Sequence, residues 1–246
     1  MSKAEEFAGK VVLVTGSSSG IGEAVARAFD AQGASVVVNS VRSIEQGTRV
    51  ANSLQSGVYV QGDISLDDDV ARLVSTTLET FGRLDVLVNN AGTTQFIPHR
   101  DLAAASRDVW REIFEVNVFG TWAMTVAAVD ALTASKGCVV NVTSIAGLRT
   151  RGSSIPYAAS KAALNHQTVL LANVLGPDVR VNAVAPGLID TPWTEDWEFV
   201  RDVVRNTAPM KRTGTPEDIA QMVLALAQNS YATGQVVVID GGLTII

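Results

Sequence analysis

The residues of this chain best suited to acid–base chemistry are Tyr157 and Lys161, which stand four positions apart. In a helix this spacing places both side chains on one face. A tyrosine ionises near pH 10, whereas a group that exchanges protons at neutral pH works best with a pKa nearer 7. Lowering that pKa by ~3 units requires ~4 kcal/mol of preferential stabilisation of the phenolate, and the Lys161 ammonium could supply part of it. Such a pair is common by chance, so its meaning depends on its surroundings.

Ser144 is a candidate partner for this pair. It directly follows an apolar run at 138–143, and ligands of parallel sheets bind beyond the carboxyl ends of the strands. We therefore expect the Ser144 hydroxyl to hydrogen-bond the substrate oxygen with which Tyr157 exchanges its proton.

A loop rich in glycine and serine follows the first apolar run. It reads Thr15-Gly16-Ser17-Ser18-Ser19-Gly20-Ile21-Gly22, and a helical pattern follows it. Small residues allow a sharp turn and let a pyrophosphate approach the backbone, and a helix N-terminus offers free N–H groups and a partial positive charge. Turns use glycine routinely, but a position between the first strand and the first helix favours a dinucleotide-binding loop.

The same loop also fits the Gly-x-Ser-x-Gly nucleophile elbow of α/β-hydrolases, with Ser18 as the nucleophile. A hydrolase would need an acid and then a histidine downstream, and the two histidines are His99 and His166. His166 falls inside a predicted helix rather than on a late loop, and Gly22 has no role in an elbow. We therefore place this alternative second.

The elements that must position these residues are short β-branched runs alternating with longer helical segments. We predict strands at 11–15, 35–39, 58–61, 86–89, 138–143, 179–185 and 236–240. We predict helices at 23–32, 65–81, 107–134, 155–175 and 216–227, with Gly33 capping the first. Several strands are nearly continuous Val, Ile and Leu runs, which is typical of strands covered on both faces. The order predicts one domain over 1–246 of the α/β class, a Rossmann-type doubly wound, seven-stranded parallel sheet with helices on both faces.

The segment 188–215 differs from the rest. It contains Pro192, Trp193, Trp197 and Pro209 and has weak strand character. Long irregular insertions in compact domains are often functional lids, so we predict a substrate lid here. Trp193, Trp197 and Phe199 would line it or pack it onto the core.

Bulk composition excludes several classes of partner. The 246 residues carry a net charge of −6, with 47% hydrophobic and 18% charged residues. No basic stripe of the kind that binds nucleic acid or an anionic membrane is visible. Cys138 is the one cysteine and the histidines belong to no ligand cluster, so we predict no metal site. The first ten residues lack the apolar core of a signal peptide, and we find no apolar run of the ~20 residues that cross a bilayer. We expect a cytoplasmic protein.

The motifs, taken in order, resemble those of the short-chain dehydrogenase/reductase family. They are the 15–22 loop, Asn89-Asn90-Ala91-Gly92, Asn117, Ser144, Tyr157-x-x-x-Lys161 and Pro186-Gly187. Each has an ordinary explanation when taken singly: a turn, a helix irregularity at Asn117, an N-cap at Asp63. Together and in register they cover essentially the whole chain.

The resemblance implies that Asn117, Ser144, Tyr157 and Lys161 form a catalytic tetrad. The tyrosine would protonate a ketone oxygen as hydride arrives from a nicotinamide. The lysine would bind the nicotinamide ribose and, with the positive charge of the oxidised ring, lower the pKa of the tyrosine. The backbone of the asparagine would hold a water in a proton relay.

The resemblance also implies contacts along a dinucleotide. Asp63 would contact the adenine, 90–92 would line the cofactor, and Thr191 would bind the carboxamide. The full set of expected cofactor-binding residues is Gly16, Ser18, Ser19, Gly20, Ile21, Gly22, Asn39, Arg42, Asp63, Ile64, Asn90, Ala91, Gly92, Tyr157, Lys161, Pro186, Gly187, Ile189 and Thr191.

The end of the second strand bears on the choice of cofactor. An acidic residue there usually grips the ribose hydroxyls and repels a 2′-phosphate. This chain has Asn39 there and Arg42 three residues later, and arginine suits bidentate phosphate contacts. We predict NADP(H). Use of NAD(H) stays open, because Ser19 stands where NADP-preferring relatives often have a cation.

The substrate is expected to be a small carbonyl compound or alcohol, free or linked to a carrier protein. The chain looks most like 3-oxoacyl-[acyl-carrier-protein] reductases and sugar dehydrogenases of the glucose type. The pocket would lie between the segment after Ser144, residues 93–98 and the lid. Arg149 and Arg151 would face an anionic group of the substrate or form a solvated surface pair.

The helix at 155–175 is apolar on more than one side, and the C-terminus at 243–246 is apolar too. One face of such a helix can cover the sheet and another a subunit, and the family resemblance points to a homotetramer. A function of another class, an idle dinucleotide-binding sensor or scaffold, is disfavoured because both Tyr157 and Lys161 are present.

Overall fold

A computed structural model describes residues 6–245 of the chain. Residues 1–5 and 246 lie outside the described range. The expectations for the first ten residues and for the apolar C-terminus at 243–246 fall partly on these residues. Seven strands form one parallel sheet in the order β3-β2-β1-β4-β5-β6-β7. The strands are β1 Val11–Val14, β2 Ser35–Ser40, β3 Gly57–Gln61, β4 Val86–Asn89, β5 Cys138–Val142, β6 Arg180–Pro186 and β7 Val236–Ile239.

Within residues 6–245, eight α-helices connect the strands. They are α1 Gly20–Asp30, α2 Ile44–Ser53, α3 Asp67–Phe81, α4 Arg107–Phe114, α5 Thr121–Ser135, α6 Ile155–Leu175, α7 Glu198–Thr207 and α8 Pro216–Gln228. A π-helix, Glu115–Gly120, joins α4 to α5 without a break, and single 3₁₀ turns lie at Ile145–Gly147 and Pro192–Thr194.

Alternate residues of the strands enter two separate hydrophobic cores. Val12 and Val14 of β1 pack with side chains of α1, α2 and α8. Val11 and Leu13 pack on the other face, with side chains of α3, α5 and α6. A strand covered on both faces must be apolar at every position, which explains the continuous valine runs. The fold class is confirmed: a seven-stranded parallel sheet covered on both faces in one domain.

All seven predicted strands are present, each within one residue of its predicted ends. Helix α6 has the predicted bounds. The first helix begins at Gly20 rather than 23 and ends at Asp30, and the residue that caps it is Ala31 rather than Gly33. Gly33 follows with φ +83°, where it closes the turn by donating its N–H to the carbonyl of Asp30.

Three features differ from the predictions. Helix α2 was not expected. The lid contains helix α7, so it is more regular than its sequence indicated. The predicted helix at 107–134 is interrupted by the π-helix, which accommodates an extra residue per turn next to Asn117.

One helical stretch, Arg107–Ser135, is long and apolar enough to cross a membrane by length and composition alone. A helix that packs in the core of a protein can have the same length and composition, so this stretch alone does not indicate a membrane span. Asn117, Thr121 and Thr125 of this stretch are buried, and the Thr125 hydroxyl accepts a hydrogen bond of 3.1 Å from Asn89 at the end of β4. The stretch is thus packed against the sheet through polar as well as apolar side chains.

Candidate active site

The glycine loop between β1 and α1 lies tightly against the end of β4. A Cβ on Gly16 would lie 2.9 Å from the Cα of Ala91, and one on Gly22 would overlap the Gly16 carbonyl oxygen. The amide Nδ2 of Asn90 donates to the carbonyls of Thr15 and Gly16, both at 2.9 Å. No larger side chain fits at Gly16 or Gly22, so the loop packs backbone to backbone on the end of β4, the close approach that a dinucleotide-binding loop uses.

Helix α1 begins at Gly20, at the open side of this loop. Ser19 precedes it with extended backbone, and Ser18 and Ile21 flank the turn. A helix N-terminus binds anions through its free N–H groups and its dipole. A Cβ on Gly20 would come within 3.2 Å of Thr191 Cγ2, so the lid residue expected to contact the carboxamide lies against the phosphate loop.

Asn39, at the end of β2, turns its side chain into the protein. Its Oδ1 accepts from the N–H of Gly16 at 3.2 Å, and its Nδ2 donates to the carbonyls of Val60 and Gly62. The side chain is 1% exposed, so it braces the loop and β3 rather than reaching outward. A cofactor contact by Asn39 stays a prediction, and this geometry favours a positioning role.

Two hydroxyl groups that the sequence reasoning missed lie beside Asn39. The Oγ of Ser40 and the Oη of Tyr59 are 2.9 Å apart, and Tyr59 packs on Gly47 of α2. Arg42 follows on the exposed connection to α2. Strand pairing brings Tyr59 here, since Val38 pairs with Tyr59, and this pairing is not visible from local spacing.

Asp63 and Ile64 follow β3 at the same edge of the sheet. Asp63 Oδ1 accepts from the N–H and the hydroxyl of Ser65, at 2.9 and 2.7 Å, so it organises the turn before α3. Ile64 is buried, and its carbonyl packs against Gly120 of the π-helix. The predicted adenine contact thus lies at the carboxyl end of β3, while Ile64 connects that edge to the reaction centre.

Asn117 is fully buried in the π-helix. Its Oδ1 accepts from the N–H of Thr93 at 2.8 Å, and its Nδ2 donates to the Thr93 carbonyl and to Ser160 Oγ, both at 3.0 Å. Ser160 in turn donates to the carbonyl of Tyr157 at 2.8 Å. Asn117 therefore ties the loop after β4 to helix α6. π-Helical turns occur frequently at functional sites. The sequence reasoning missed Ser160 as a member of this site, and its one sequence signal is its position directly before Lys161.

Tyr157 and Lys161 share one face of α6, as predicted. The Lys161 ammonium lies 5.7 Å from the centre of the Tyr157 ring and donates to the Val142 carbonyl at 3.1 Å. Ser144 follows β5 and accepts a 3.1 Å hydrogen bond from the N–H of Ala146. The structure brings these three side chains and Asn117 together at the carboxyl ends of β4 and β5.

The pKa values of the pair are set by burial. Burial raises the pKa of Tyr157 to about 12, and the Ser144 hydroxyl only partly opposes the rise. Burial lowers the pKa of Lys161 to about 8. The shift at Tyr157 is thus opposite to the predicted lowering, because desolvation penalises the phenolate more than the chain's own groups stabilise it. A bound oxidised nicotinamide would add the positive charge on which that prediction also rests.

The lid follows β6 and covers this centre. Position 187 requires a glycine, because a Cβ there would lie 2.9 Å from Asp240. It follows Pro186, the last residue of β6, and Ile189 is buried and pairs with Gly214. The 3₁₀ turn Pro192–Thr194 then places the Trp193 ring 6.4 Å from the Tyr157 ring, edge to face.

Gly92 marks the point where these elements converge. A Cβ on Gly92 would lie 3.2 Å from Asn117 Oδ1, 3.5 Å from Lys161 Nζ and 3.8 Å from the indole of Trp193. The glycine loop, Thr191 and this centre form a continuous path along the carboxyl edge of the sheet. Its donors and close backbone approaches fit a dinucleotide with its reactive ring beside Tyr157.

The positions of Ser18 and His166 do not support the alternative elbow with Ser18 as a nucleophile. Ser18 is buried in a loop that belongs to the dinucleotide cradle, and His166 lies exposed on α6. The hydrolase hypothesis is therefore abandoned.

The chain matches the family model described as enoyl-(acyl carrier protein) reductase over residues 16–244. A protein assigned as ketoacyl reductase 2 of the granaticin polyketide synthase of Streptomyces violaceoruber is 58% identical over 236 residues, which are 94% of this chain and 95% of that protein. The 3-oxoacyl-[acyl-carrier-protein] reductase FabG of Thermotoga maritima is 38% identical, over 96% of this chain and 98% of its own. A solved structure from Brucella melitensis, described as a short-chain dehydrogenase/reductase of the glucose/ribitol dehydrogenase type, has a TM-score of 0.91 at 32% identity and covers 98% of both chains.

Proposed function

Because the chain belongs to the short-chain dehydrogenase/reductase family, we propose that it is a cytoplasmic NADP(H)-dependent reductase of 3-oxoacyl thioesters that uses Tyr157 as its acid. Family membership makes it an oxidoreductase with an NAD(P) cofactor. The observation that supports the proposal most is the meeting of Asn117, Lys161 and Trp193 around Gly92, beside Tyr157.

Each chain residue has one task in the proposed reaction. The cofactor, when bound to the glycine loop and Thr191, supplies the hydride. Ser144 donates a hydrogen bond to the ketone oxygen and so holds it within reach of Tyr157. The phenol then gives its proton to that oxygen. Because burial raises the pKa of Tyr157, this transfer depends on neighbouring positive charge that stabilises the phenolate.

Lys161 and Asn117 support this transfer without bonding to the substrate. The buried ammonium of Lys161 stabilises the phenolate that remains and, through the ribose, orients the cofactor. The Asn117 side chain is occupied by Thr93 and Ser160, which leaves its backbone to hold the water through which Tyr157 regains its proton.

The preference for NADP(H) is proposed from the end of β2. Residues 39–43 contain no carboxylate that would repel a 2′-phosphate, Arg42 is exposed there, and the hydroxyls of Ser40 and Tyr59 are adjacent. We expect Arg42→Ala to weaken NADP⁺ binding by ~10-fold and NAD⁺ binding by less than ~2-fold, since only the former loses a phosphate contact. Arg49→Ala, a neighbouring exposed arginine on α2, is the matched control in a calorimetric titration. Tighter binding of NAD⁺ than NADP⁺ by the unmodified protein would overturn the preference.

The proposed substrate follows from the apolar character of the pocket mouth. Phe96, after β4, and Trp197, in the lid, have ring centres 5.7 Å apart, and Trp193 lies further in. Phe199 is 83% exposed, so it is available to a ligand rather than packed on the core. Aromatic edges suit an acyl chain better than a polyhydroxylated sugar, and two of the relatives reported above are named as acyl or ketoacyl reductases.

A carrier-linked substrate would bring a phosphopantetheine arm to this mouth. Arg149 and Arg151, both exposed between the 3₁₀ turn after β5 and α6, are proposed to face that anion. Replacing both with alanine should reduce kcat/KM for an acyl-carrier-protein substrate by ~10-fold or more while sparing a neutral ketone. An equal effect on both substrates would remove this role.

The exposed apolar faces of α5 and α6 support a homotetramer. Phe119, Trp122 and Val126 form an exposed series from the π-helix into α5, each about half exposed, and Leu170 and Val174 are exposed on α6. Contiguous apolar patches of this kind mark subunit contacts. The edge strand β7 and the C-terminal residues up to 245 are also only partly covered.

The central experiment compares two substrates with one enzyme. NADPH oxidation at 340 nm with acetoacetyl-N-acetylcysteamine thioester is compared with NADP⁺ or NAD⁺ reduction by glucose. We expect kcat/KM for the thioester to exceed that for glucose by ~100-fold or more, because the pocket offers apolar rather than polar contacts. Faster glucose oxidation would identify a sugar dehydrogenase instead, and cofactor binding with neither activity would indicate a sensor or scaffold.

A further inference from the structure

Arg201 is a buried arginine in the lid, although helix α7 lies at the surface. Its residue exposure is 8%. Nε donates to Asp190 Oδ1 at 2.9 Å, Nη1 to the carbonyl of Glu195 at 2.7 Å, and Nη2 approaches Thr194 Oγ1 at 3.4 Å. One guanidinium therefore binds both ends of the 190–195 turn.

Asp190 ties the same point to the far end of the lid. Its second carboxylate oxygen accepts a short hydrogen bond from Thr213, and its N–H donates to the Gly214 carbonyl at 2.9 Å. Burial alone would raise the pKa of Asp190, but hydrogen bonds from Thr213 and Arg201 outweigh it and lower the pKa. Asp190 is thus a charged anchor between the two ends of the lid.

The turn held in this way carries two residues of the site. Thr191 packs against Gly20 in the phosphate loop, where a Cβ added to the glycine would lie 3.2 Å from Thr191 Cγ2. Trp193 lies over Gly92 and beside Tyr157. Thr194 Oγ1 also donates to the Ile189 carbonyl at 2.7 Å. A shift of the turn would therefore move contacts to both ends of the reaction centre.

We infer that Arg201 is a positioning residue that, with Asp190, holds the 190–195 turn closed over the cofactor and Tyr157. This inference rests on the proposed function for its link to catalysis. Arginine suits the task because its rigid planar fork spreads its N–H donors toward three separate acceptors, whereas the donors of a lysine all lie on one nitrogen. The buried guanidinium of Arg201 thereby fastens the turn through the half-exposed carboxylate of Asp190 and the carbonyl of Glu195, and a longer contact of 3.6 Å joins it to exposed Glu198 on its own helix.

The test compares Arg201→Met with Arg205→Met. Arg205 lies one turn later on α7. Within residues 6–245 its ion-pair partners are the exposed side chains Glu198 and Asp202, so it serves as a matched control. Amide hydrogen exchange of the peptide covering 190–197 and the Kd for NADP⁺ are measured on the intact protein, and kcat/KM follows on the thioester.

We expect Arg201→Met to speed exchange in 190–197 by ~10-fold or more, to raise the Kd for NADP⁺ and to lower kcat/KM, while Arg205→Met stays within ~2-fold on each measure. Equal changes in both variants, or unchanged exchange and Kd in Arg201→Met, would overturn the inference. If Arg201→Met does not fold, Asp190→Asn keeps the shape and removes one charge. Asp190→Asn should then loosen the same peptide, and wild-type exchange and Kd in this variant would equally overturn it.

Tyr157→Phe separates this inference from the proposed function. It should abolish turnover and leave exchange in 190–197 as in the wild type. A Tyr157→Phe enzyme that stays active defeats the proposed function, whereas loosening of the turn by Arg201→Met would still establish the clamp.

Discussion

Lys161 carries an ammonium group inside the protein, 3% exposed, with a backbone carbonyl as its hydrogen-bond partner. Desolvation penalises the charged form and lowers its pKa to about 8. The same property makes Lys161 useful, since a poorly hydrated cation acts strongly on a neighbouring phenolate. We therefore expect the buried ammonium of Lys161 to lower the free energy of unfolding while it supports activity.

Lys161→Met should stabilise the folded protein at pH 7 by about 1–3 kcal/mol, because it removes the buried charge at similar side-chain length. The wild-type lysine has a folded pKa of about 8 against an ordinary value of 10.5. Between these values the unfolded chain binds more protons than the folded one, so wild-type stability rises with pH in that window. The advantage of the variant should shrink accordingly from pH 7 to 9.5, measured by urea unfolding. A variant less stable at pH 7, or a gap independent of pH, would contradict this.

The π-helix acts as an element rather than through one atom. It aims Asn117 at Thr93, on the loop after β4, and at Ser160 on α6. The loop after β4 and helix α6, which follows β5, are thereby held at a fixed distance from each other. The extra residue of a π-turn changes which side chains face the sheet. This irregular geometry therefore turns Asn117 toward both Thr93 and Ser160.

Asn117→Ala should lower the free energy of unfolding by about 2–3 kcal/mol and kcat/KM by ~100-fold or more, since it leaves polar groups of Thr93 without partners and frees the loop. Ser160→Ala removes one of the three bonds of the Asn117 side chain, together with the bond from Ser160 to the Tyr157 carbonyl, and should cost clearly less on both measures. Denaturant unfolding and steady-state kinetics would check this pair. Equal losses in both variants would count against the bridging role.

The sequence was most informative where one element is specified by its own residues. Strands such as β1 and β5 are continuous valine-rich runs, and the spacing of Tyr157 and Lys161 holds because α6 is long and regular. Helix α2 was missed because it is short and polar and contains Gly47, whose place no larger residue could take because Tyr59 packs against it. Helix α7 was missed because the segment was interpreted from its prolines and tryptophans, although Arg201 and Val204, three positions apart, form its buried face.

The functional roles of the candidate site residues stay predictions, and the structure adds how their side chains are held. Asn90, Asn117 and Gly92 lie near one another at the carboxyl edge of the sheet, whereas Asn39 turns inward to brace the glycine loop. The pKa of Tyr157 moves upward because burial, which a linear sequence does not reveal, outweighs the hydrogen bond from Ser144. Tyr59 and Ser160 reach the site only through strand pairing and helix contacts.

At the scale of the whole molecule, one edge of the sheet carries the chemistry and the outer helices carry the exposed apolar surface. The carboxyl ends of β1, β2, β4, β5 and β6 supply the site, while α5 and α6 present Trp122, Val126 and Val174 to solvent. Helix α6 therefore holds Tyr157 on one face and exposes apolar side chains on another, where we propose a subunit contact.

Trp122→Glu should break the proposed tetramer, because it places a charge in an apolar interface. Light scattering of the wild type should give the mass of four 25.9 kDa chains, and the variant should give a smaller species. Ile44→Glu, on the opposite face of the sheet in α2 and 45% exposed, should leave the assembly intact. A wild type that scatters as a single chain would refute the interface.

The measurement that bears most directly on the reaction centre is made on Tyr157→Phe, which keeps the ring and removes the acidic hydroxyl. The Kd for NADPH and the rate of thioester reduction are determined side by side. We expect NADPH to bind within ~3-fold of wild type while kcat/KM falls by ~1,000-fold or more, because proton transfer to the ketone oxygen is lost and positioning is retained. Reduction within ~10-fold of the wild-type rate would contradict the assignment of Tyr157 as the acid.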